Sequence, residues 1–121
     1  MKLRKLGNLD LNVSEVGLGC MSFAGFYDPT TKEESFKCLD EARNVGIDFL
    51  DTAEMYGWGI SESIIGEYQS KNNYNFNVAT KGGIVKGAAR GANDNSEQGL
   101  RNAIEGSLTR LNVDYIPLYY I

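Results

Sequence analysis

Short apolar runs and amphipathic segments take turns along this chain, and that alternation restricts its fold more than any single residue does. Runs at Val13 to Leu18, Ile47 to Leu50, Asn77 to Thr80 and Asp114 to Ile121 read as strands. The intervening segments carry apolar residues at the three- and four-residue spacing of a helix. Phe36, Leu39, Ala42 and Val45 mark the first, from Lys32 to Val45; Ile64, Ile65 and Tyr68 mark the second; Leu100, Ile104, Leu108 and Leu111 mark the third. Each has a start signal. Thr31 and Glu34 make a capping box, and Ser61 and Ser96 are capping residues for the other two. Gly46 is a stop for the first. Strands alternating with helices at intervals of about 30 residues imply βα units around a parallel sheet. Ahead of them, Met1 to Leu11 reads as a short hairpin that turns at Gly7-Asn8.

Size and charge narrow the function. The 121 residues suffice for one domain at most. A net charge of −4 and a pI near 4.8 argue against a general nucleic-acid binder. No apolar run is long enough to span a bilayer, and the basic stretch Met1 to Lys5 is not followed by the apolar core of a signal peptide. The chain has no histidine, which removes His-based nucleophilic triads and most zinc sites. Cys20 and Cys38 fit neither a CxxC motif nor a disulfide framework, which points to a reducing cytoplasm; both read as packing residues.

In a parallel βα fold, ligands bind beyond the carboxyl ends of the strands. Asp51 follows one strand, Lys81 follows the next, and Tyr56 lies one short loop beyond Asp51. A free tyrosine, with a pKa of about 10, is a poor acid at neutral pH. A lysine cation beside a phenol favours the phenolate, and a carboxylate paired with the lysine keeps it charged and aimed. Such a set suits a reaction in which hydride adds to a carbonyl carbon while Tyr56 gives its proton to the oxygen. No side chain supplies hydride, so a nicotinamide cofactor is implied. Taken singly the three residues have plainer readings, as a cap, a surface ring and a solvated cation; their order on successive elements favours the chemistry. Two glycine-rich stretches do not. Gly17-Leu18-Gly19 lacks the third glycine of a dinucleotide fingerprint, and a loop with Gly25 and Pro29 stands where the helix would begin. Lys86-Gly87-Ala88-Ala89-Arg90-Gly91 has the glycines to cradle an anion and reads more simply as a mobile loop.

Five segments, Gly17 to Met21, Gly46 to Gly57, Ser61-Glu62, Thr80 to Gly82 and Ser107 to Ile116, closely resemble the aldo-keto reductase family, in the family's order. The resemblance covers nearly the whole chain. It implies an α/β fold, the N-terminal half of a (β/α)8 TIM barrel, with a hairpin followed by β-α-β-α-β-α-β in a single partial domain over residues 1–121. It also implies NADPH (NADP) as cofactor, an aldehyde or ketone as substrate, and a tetrad of Asp, Tyr, Lys and His, whose first three places fall on Asp51, Tyr56 and Lys81. Gly19, Cys20, Met21 and Asp51 are then the cofactor-side residues. Phe23, Tyr56 and Trp58 line the substrate mouth, with core or rim packing as the alternative for Phe23 and Trp58.

Two departures qualify the resemblance. The family's histidine lies just past the fourth strand, directly after Ile121, and Pro117 stands where the family commonly has Asp. Proline offers no ladder donor and is tolerated near a strand start. Two functions follow as expectations: an NADPH-dependent carbonyl reductase, or a non-catalytic half-barrel that only binds or assembles. A four-stranded open sheet leaves two edges unpaired and an inner face uncovered. A homodimer closing a pseudo-barrel about a two-fold axis is therefore expected, with a small carbonyl compound, and neither nucleic acid nor membrane, as partner.

Overall fold

Four short parallel strands lie side by side in chain order: β3 (Gly17–Gly19), β4 (Phe49–Asp51), β5 (Asn77–Lys81) and β6 (Leu118–Tyr120). Each connection is a helix: α1 (Lys32–Asn44), α2 (Ile60–Asn72) and α3 (Glu97–Leu111). A separate antiparallel hairpin, β1 (Leu3–Lys5) with β2 (Asn12–Ser14), precedes them. The structure is a computed structural model and describes residues 1–88 and 92–121; Ala89, Arg90 and Gly91, part of the stretch read as an anion cradle, lie outside the described residues.

Successive strand residues point to opposite faces, and here the two faces are very different. Leu50 and Val78 point at the helices and are buried against Leu39, Ile65, Tyr68 and Leu111 in one core. Asp51, Ala79 and Leu118 are register partners across three strands and share the other face, as do Lys81 and Tyr120. On that second face Asp51, Lys81 and Leu118 are partly exposed and Tyr120 is exposed, while Ala79 is buried. Helices α2 and α3 meet almost backbone to backbone at Gly66, where a Cβ would lie 2.1 Å from the carbonyl oxygen of Arg110.

The amino ends of the strands are tied to the hairpin. Asp48 accepts from the Ser14 backbone N–H at 2.6 Å and from Asn77 Nδ2 at 3.2 Å. Ser14 Oγ in turn accepts from the backbone N–H groups of Asp48 and Phe49. These long-range bonds explain why the hairpin's second strand is Asn12–Ser14 rather than the Leu9 to Leu11 stretch. They also explain why Val13 to Leu18 is not one strand: Val13 and Ser14 belong to the hairpin, and only Gly17–Gly19 joins the parallel sheet.

The helix caps divide between agreement and correction. Thr31 and Glu34 form the full capping box, and Ser96 Oγ accepts from the Gly99 N–H. Helix α2, however, is capped by Gly59 with a φ of 99°, and Ser61 lies inside the helix with its hydroxyl turned inward. Val45 caps α1 and is exposed, so the buried face of that helix is Ser35, Leu39 and Ala42. The last strand begins at Leu118, not Asp114, so Pro117 precedes it and interrupts no ladder.

Candidate active site

Asp51 and Lys81 close neighbouring parallel strands on the partly exposed face, and the sheet register brings their side chains together. Lys81 Nζ donates to Asp51 Oδ1, to the Thr52 carbonyl at 2.8 Å and to Tyr56 Oη at 3.4 Å. The same ammonium stands 5.0 Å from the centroid of the Tyr56 ring and 5.7 Å from that of Tyr120. Partial burial pulls the Lys81 pKa down, but hydrogen bonds to Asp51 and Tyr56 and the Asp51 charge outweigh it and hold it above the ordinary lysine value. The ammonium is therefore charged at every physiological pH.

The loop after β4 is built to present Tyr56. Glu54 N–H donates to the Lys81 carbonyl at 3.0 Å, and Gly59 N–H donates to the Glu54 carbonyl at 2.8 Å, so the loop is anchored to the end of β5 and closed on itself. Three successive residues, Gly57, Trp58 and Gly59, have φ of 66°, 50° and 99°. The two glycines are needed there: a Cβ on Gly57 would meet Ile60 at 2.8 Å, and one on Gly59 would meet Arg110 at 2.5 Å. Trp58 between them is held in a backbone region that bulky residues rarely adopt.

The cofactor-side residues separate by position. Gly19 pairs with Asp51 across β3 and β4, and open space lies where its Cβ would be. Met21 begins a 3-10 turn, Met21–Ala24, and is partly exposed. Cys20 is 0% exposed. Its N–H donates to the Asp51 carbonyl, its carbonyl accepts from Ser61 Oγ, and its thiol donates to the Leu18 carbonyl. Burial pushes that thiol far above the ordinary range. Cys20 is thus a packing residue whose side chain offers no contact to a ligand.

At the mouth, Trp58 is exposed, but Phe23 is 5% exposed and belongs to the core. The 3-10 turn rotates Phe23 inward and, after Gly25 in the left-handed region, releases Phe26 instead. Phe26 is 49% exposed and packs edge-on against Tyr56 with centroids 5.8 Å apart. Sequence pattern gave no warning of that turn.

A second ionic cluster lies on the helix side of the same strands. Glu62 is 0% exposed; it accepts from Thr80 Oγ1 at 2.6 Å and from Arg110 Nε at 2.6 Å. Arg110 also reaches Glu54 Oε1 at 3.2 Å. Among the described residues, no group of three or more His, Cys, Asp or Glu side chains is placed to hold a metal ion, and no helix is long and apolar enough to cross a membrane.

Known proteins resemble this chain over almost its full length. The model of the Aldo/keto reductase family matches residues 15–121. An uncharacterized oxidoreductase of Bacillus subtilis, YqkF, is 42% identical over all of this chain and 39% of its own length. The aldo-keto reductase yakc [NADP(+)] of Schizosaccharomyces pombe is 34% identical over 98% of this chain and 35% of its own. Among solved structures, aldo-keto reductase AKR11C1 from Bacillus halodurans, in its holo form, superposes with a TM-score of 0.83 at 37% identity, over 98% of this chain and 39% of that one. The chain thus spans about two-fifths of the length of these relatives, and its four parallel strands are part of a barrel.

Proposed function

The chain belongs to the aldo/keto reductase family, and we propose that it carries the proton-donor side of an NADPH-dependent reduction of aldehydes or ketones. One observation carries the reading: a single ammonium, Lys81 Nζ, is bonded at once to Asp51 and to the hydroxyl of Tyr56, at the carboxyl ends of the strands. The NADP(+) in the name of the fission-yeast relative and the holo form of the Bacillus halodurans structure support the choice of cofactor.

The residues present fit the reacting end of such a cofactor. Gly19 leaves open space beside Asp51 on the partly exposed face, with Met21 at its edge. A bound nicotinamide supplies the hydride that no side chain can. Asp51 and the Thr52 carbonyl fix the direction of Lys81. Lys81 holds the oxygen of Tyr56, so the phenolic proton is free to turn toward a carbonyl oxygen. Once the proton has moved, the phenolate left behind faces the ammonium, which stabilises it. Before that transfer, substrate enters between Trp58, Phe26 and Tyr56.

Titration with NADPH, followed by fluorescence, tests the cofactor, and turnover of an aldehyde with Tyr56→Phe tests the donor. Binding with turnover lost in the variant is expected. No binding at millimolar NADPH would instead support a half-barrel that only assembles.

The partly exposed sheet face supports a second part of the reading. Its edge strands, β3 and β6, are both parallel to their neighbours, so two copies related by a two-fold axis along the strands would bring edge to edge in the same sense. Light scattering is expected to give a dimer, and a well-behaved monomer at micromolar concentration would refute it. The two free cysteines suit a cytoplasmic setting.

A further inference from the structure

Between the loop that carries Tyr56 and the loop after β5, a groove runs outward from Lys81. Its inner part is lined by Met55, Lys81 and Ile84, and its outer part by Trp58, Ile84 and Lys86, with Glu54 along both. The two parts share Ile84 and Glu54; the inner one holds about 40 Å³ and the outer, more open one about 230 Å³. At the far end Lys86 Nζ stands 5.9 Å from the centre of the Trp58 ring.

The charges along this groove are unequal in what they have left to offer. Lys81 is engaged by Asp51. Glu54, the acid among these lining residues, is paired with Arg110. Lys86 has no carboxylate partner among the described residues; its neighbour is the face of an indole. A side arm past Asn102 holds Asp94, whose oxygen is taken by the N–H and hydroxyl of Ser96. The groove therefore runs from Lys81, the hydrogen-bond partner of Tyr56, over the apolar Met55 and Ile84 to Lys86, the uncommitted cation among its described lining residues, beside an aromatic plane. Trp58 is held there at a cost in backbone strain, between two glycines that no other residue can replace without a clash.

We propose that Lys86 and Trp58 form the recognition site for an anionic tail, so that the substrates of this site are carbonyl compounds bearing a carboxylate or similar anion one apolar or aromatic spacer away from the carbonyl. The proposal rests on the carbonyl-reductase reading for its substrate and on the groove alone for its anion. A carboxylate docked at the far end accepts a charge-assisted hydrogen bond from Lys86, while its spacer lies over Ile84 and its ring or chain against Trp58.

Trp58 is the single tryptophan of the chain, so its fluorescence reports on this end of the groove without any need for turnover. The probes are 4-carboxybenzaldehyde and its methyl ester, titrated with and without NADPH. The acid is expected to quench Trp58 at about a tenfold lower concentration than the ester. Lys86→Gln is expected to bring the two probes within about twofold, and Lys86→Arg to keep the preference for the acid. Lys5→Gln, at the hairpin, controls for general charge and should change nothing. Equal quenching by acid and ester, no saturable quenching by either, or an acid preference that survives Lys86→Gln would each overturn the anion site. The two readings fail separately. Reduction of both probes without preference leaves the reductase and removes the site; preference without reduction leaves the site and counts against the reductase.

Discussion

Two ionic clusters sit on opposite sides of β5, and they have opposite characters. On the helix side, Glu62 is enclosed by Thr80 and Arg110, and Arg110 goes on to Glu54. Every strong bond of the Glu62 carboxylate is made inside the protein. On the open side, Lys81 and Asp51 are both partly exposed, and the Tyr56 hydroxyl has one long contact, 3.4 Å from Lys81. A cluster completed by the protein holds elements together, here β5, α2 and α3. A cluster with an unfinished hydrogen bond at an open surface has something left to give to a ligand.

Removing one partner from each cluster should separate the two roles. Glu62→Ala strips Arg110 of its buried partner and leaves Thr80 unpaired, and should cost about 3 kcal/mol in urea unfolding. Lys81→Met, on the open side, should cost less than about 1 kcal/mol, because its ion pair is half in water. Equal losses would break the comparison. Gly66→Ala tests whether α3, which carries Arg110, must lie so close to α2. The added methyl has no space, and a loss of about 2 kcal/mol is expected without any change at the Tyr56 site.

Alkaline pH sharpens the contrast further. Lys81 has its pKa raised in the folded chain. The stability it contributes is complete below the unfolded value, about 10.5, and is lost as pH rises through the higher folded value. The buried Cys20 thiol adds a fall of the same sign beginning at its unfolded value of 9.0. The difference between the parent chain and Lys81→Met isolates the lysine: unfolding midpoints measured from pH 9 to 12 should fall less steeply in the variant. The smallest effect concerns the thiols. Cys38 is exposed and Cys20 is not, so a thiol reagent should label one cysteine per native chain and two in denaturant. Rapid labelling of both would put Cys20 at the open face.

Much of this could be read before any coordinates, and the exceptions share a cause. The capping box at Thr31 is a local pattern, and it formed as expected. The meeting of Asp51, Tyr56 and Lys81 needed only the rule that a parallel sheet gathers its strand ends, and the structure brings the three together. What failed locally was decided at a distance or by backbone angles. Ser61 reads as a cap but is drawn inward by Thr52 and the Cys20 carbonyl. The hairpin register follows Asp48, 34 residues from Ser14. Phe23, read as a mouth residue, is turned into the core by one 3-10 turn, which leaves Phe26 exposed instead. The Glu62 cluster was invisible because Arg110 lies 48 residues away in sequence.

The most direct test of the account is a pair of readings on Tyr56→Phe: NADPH-dependent reduction of an aromatic aldehyde, and the urea unfolding midpoint. The phenolic oxygen makes one long contact, 3.4 Å from Lys81 at the open cluster, so reduction should fall at least about 100-fold while the unfolding free energy derived from the midpoint stays within about 0.5 kcal/mol of the parent. Reduction at the parent rate by the variant would contradict the assignment of the open cluster to proton transfer.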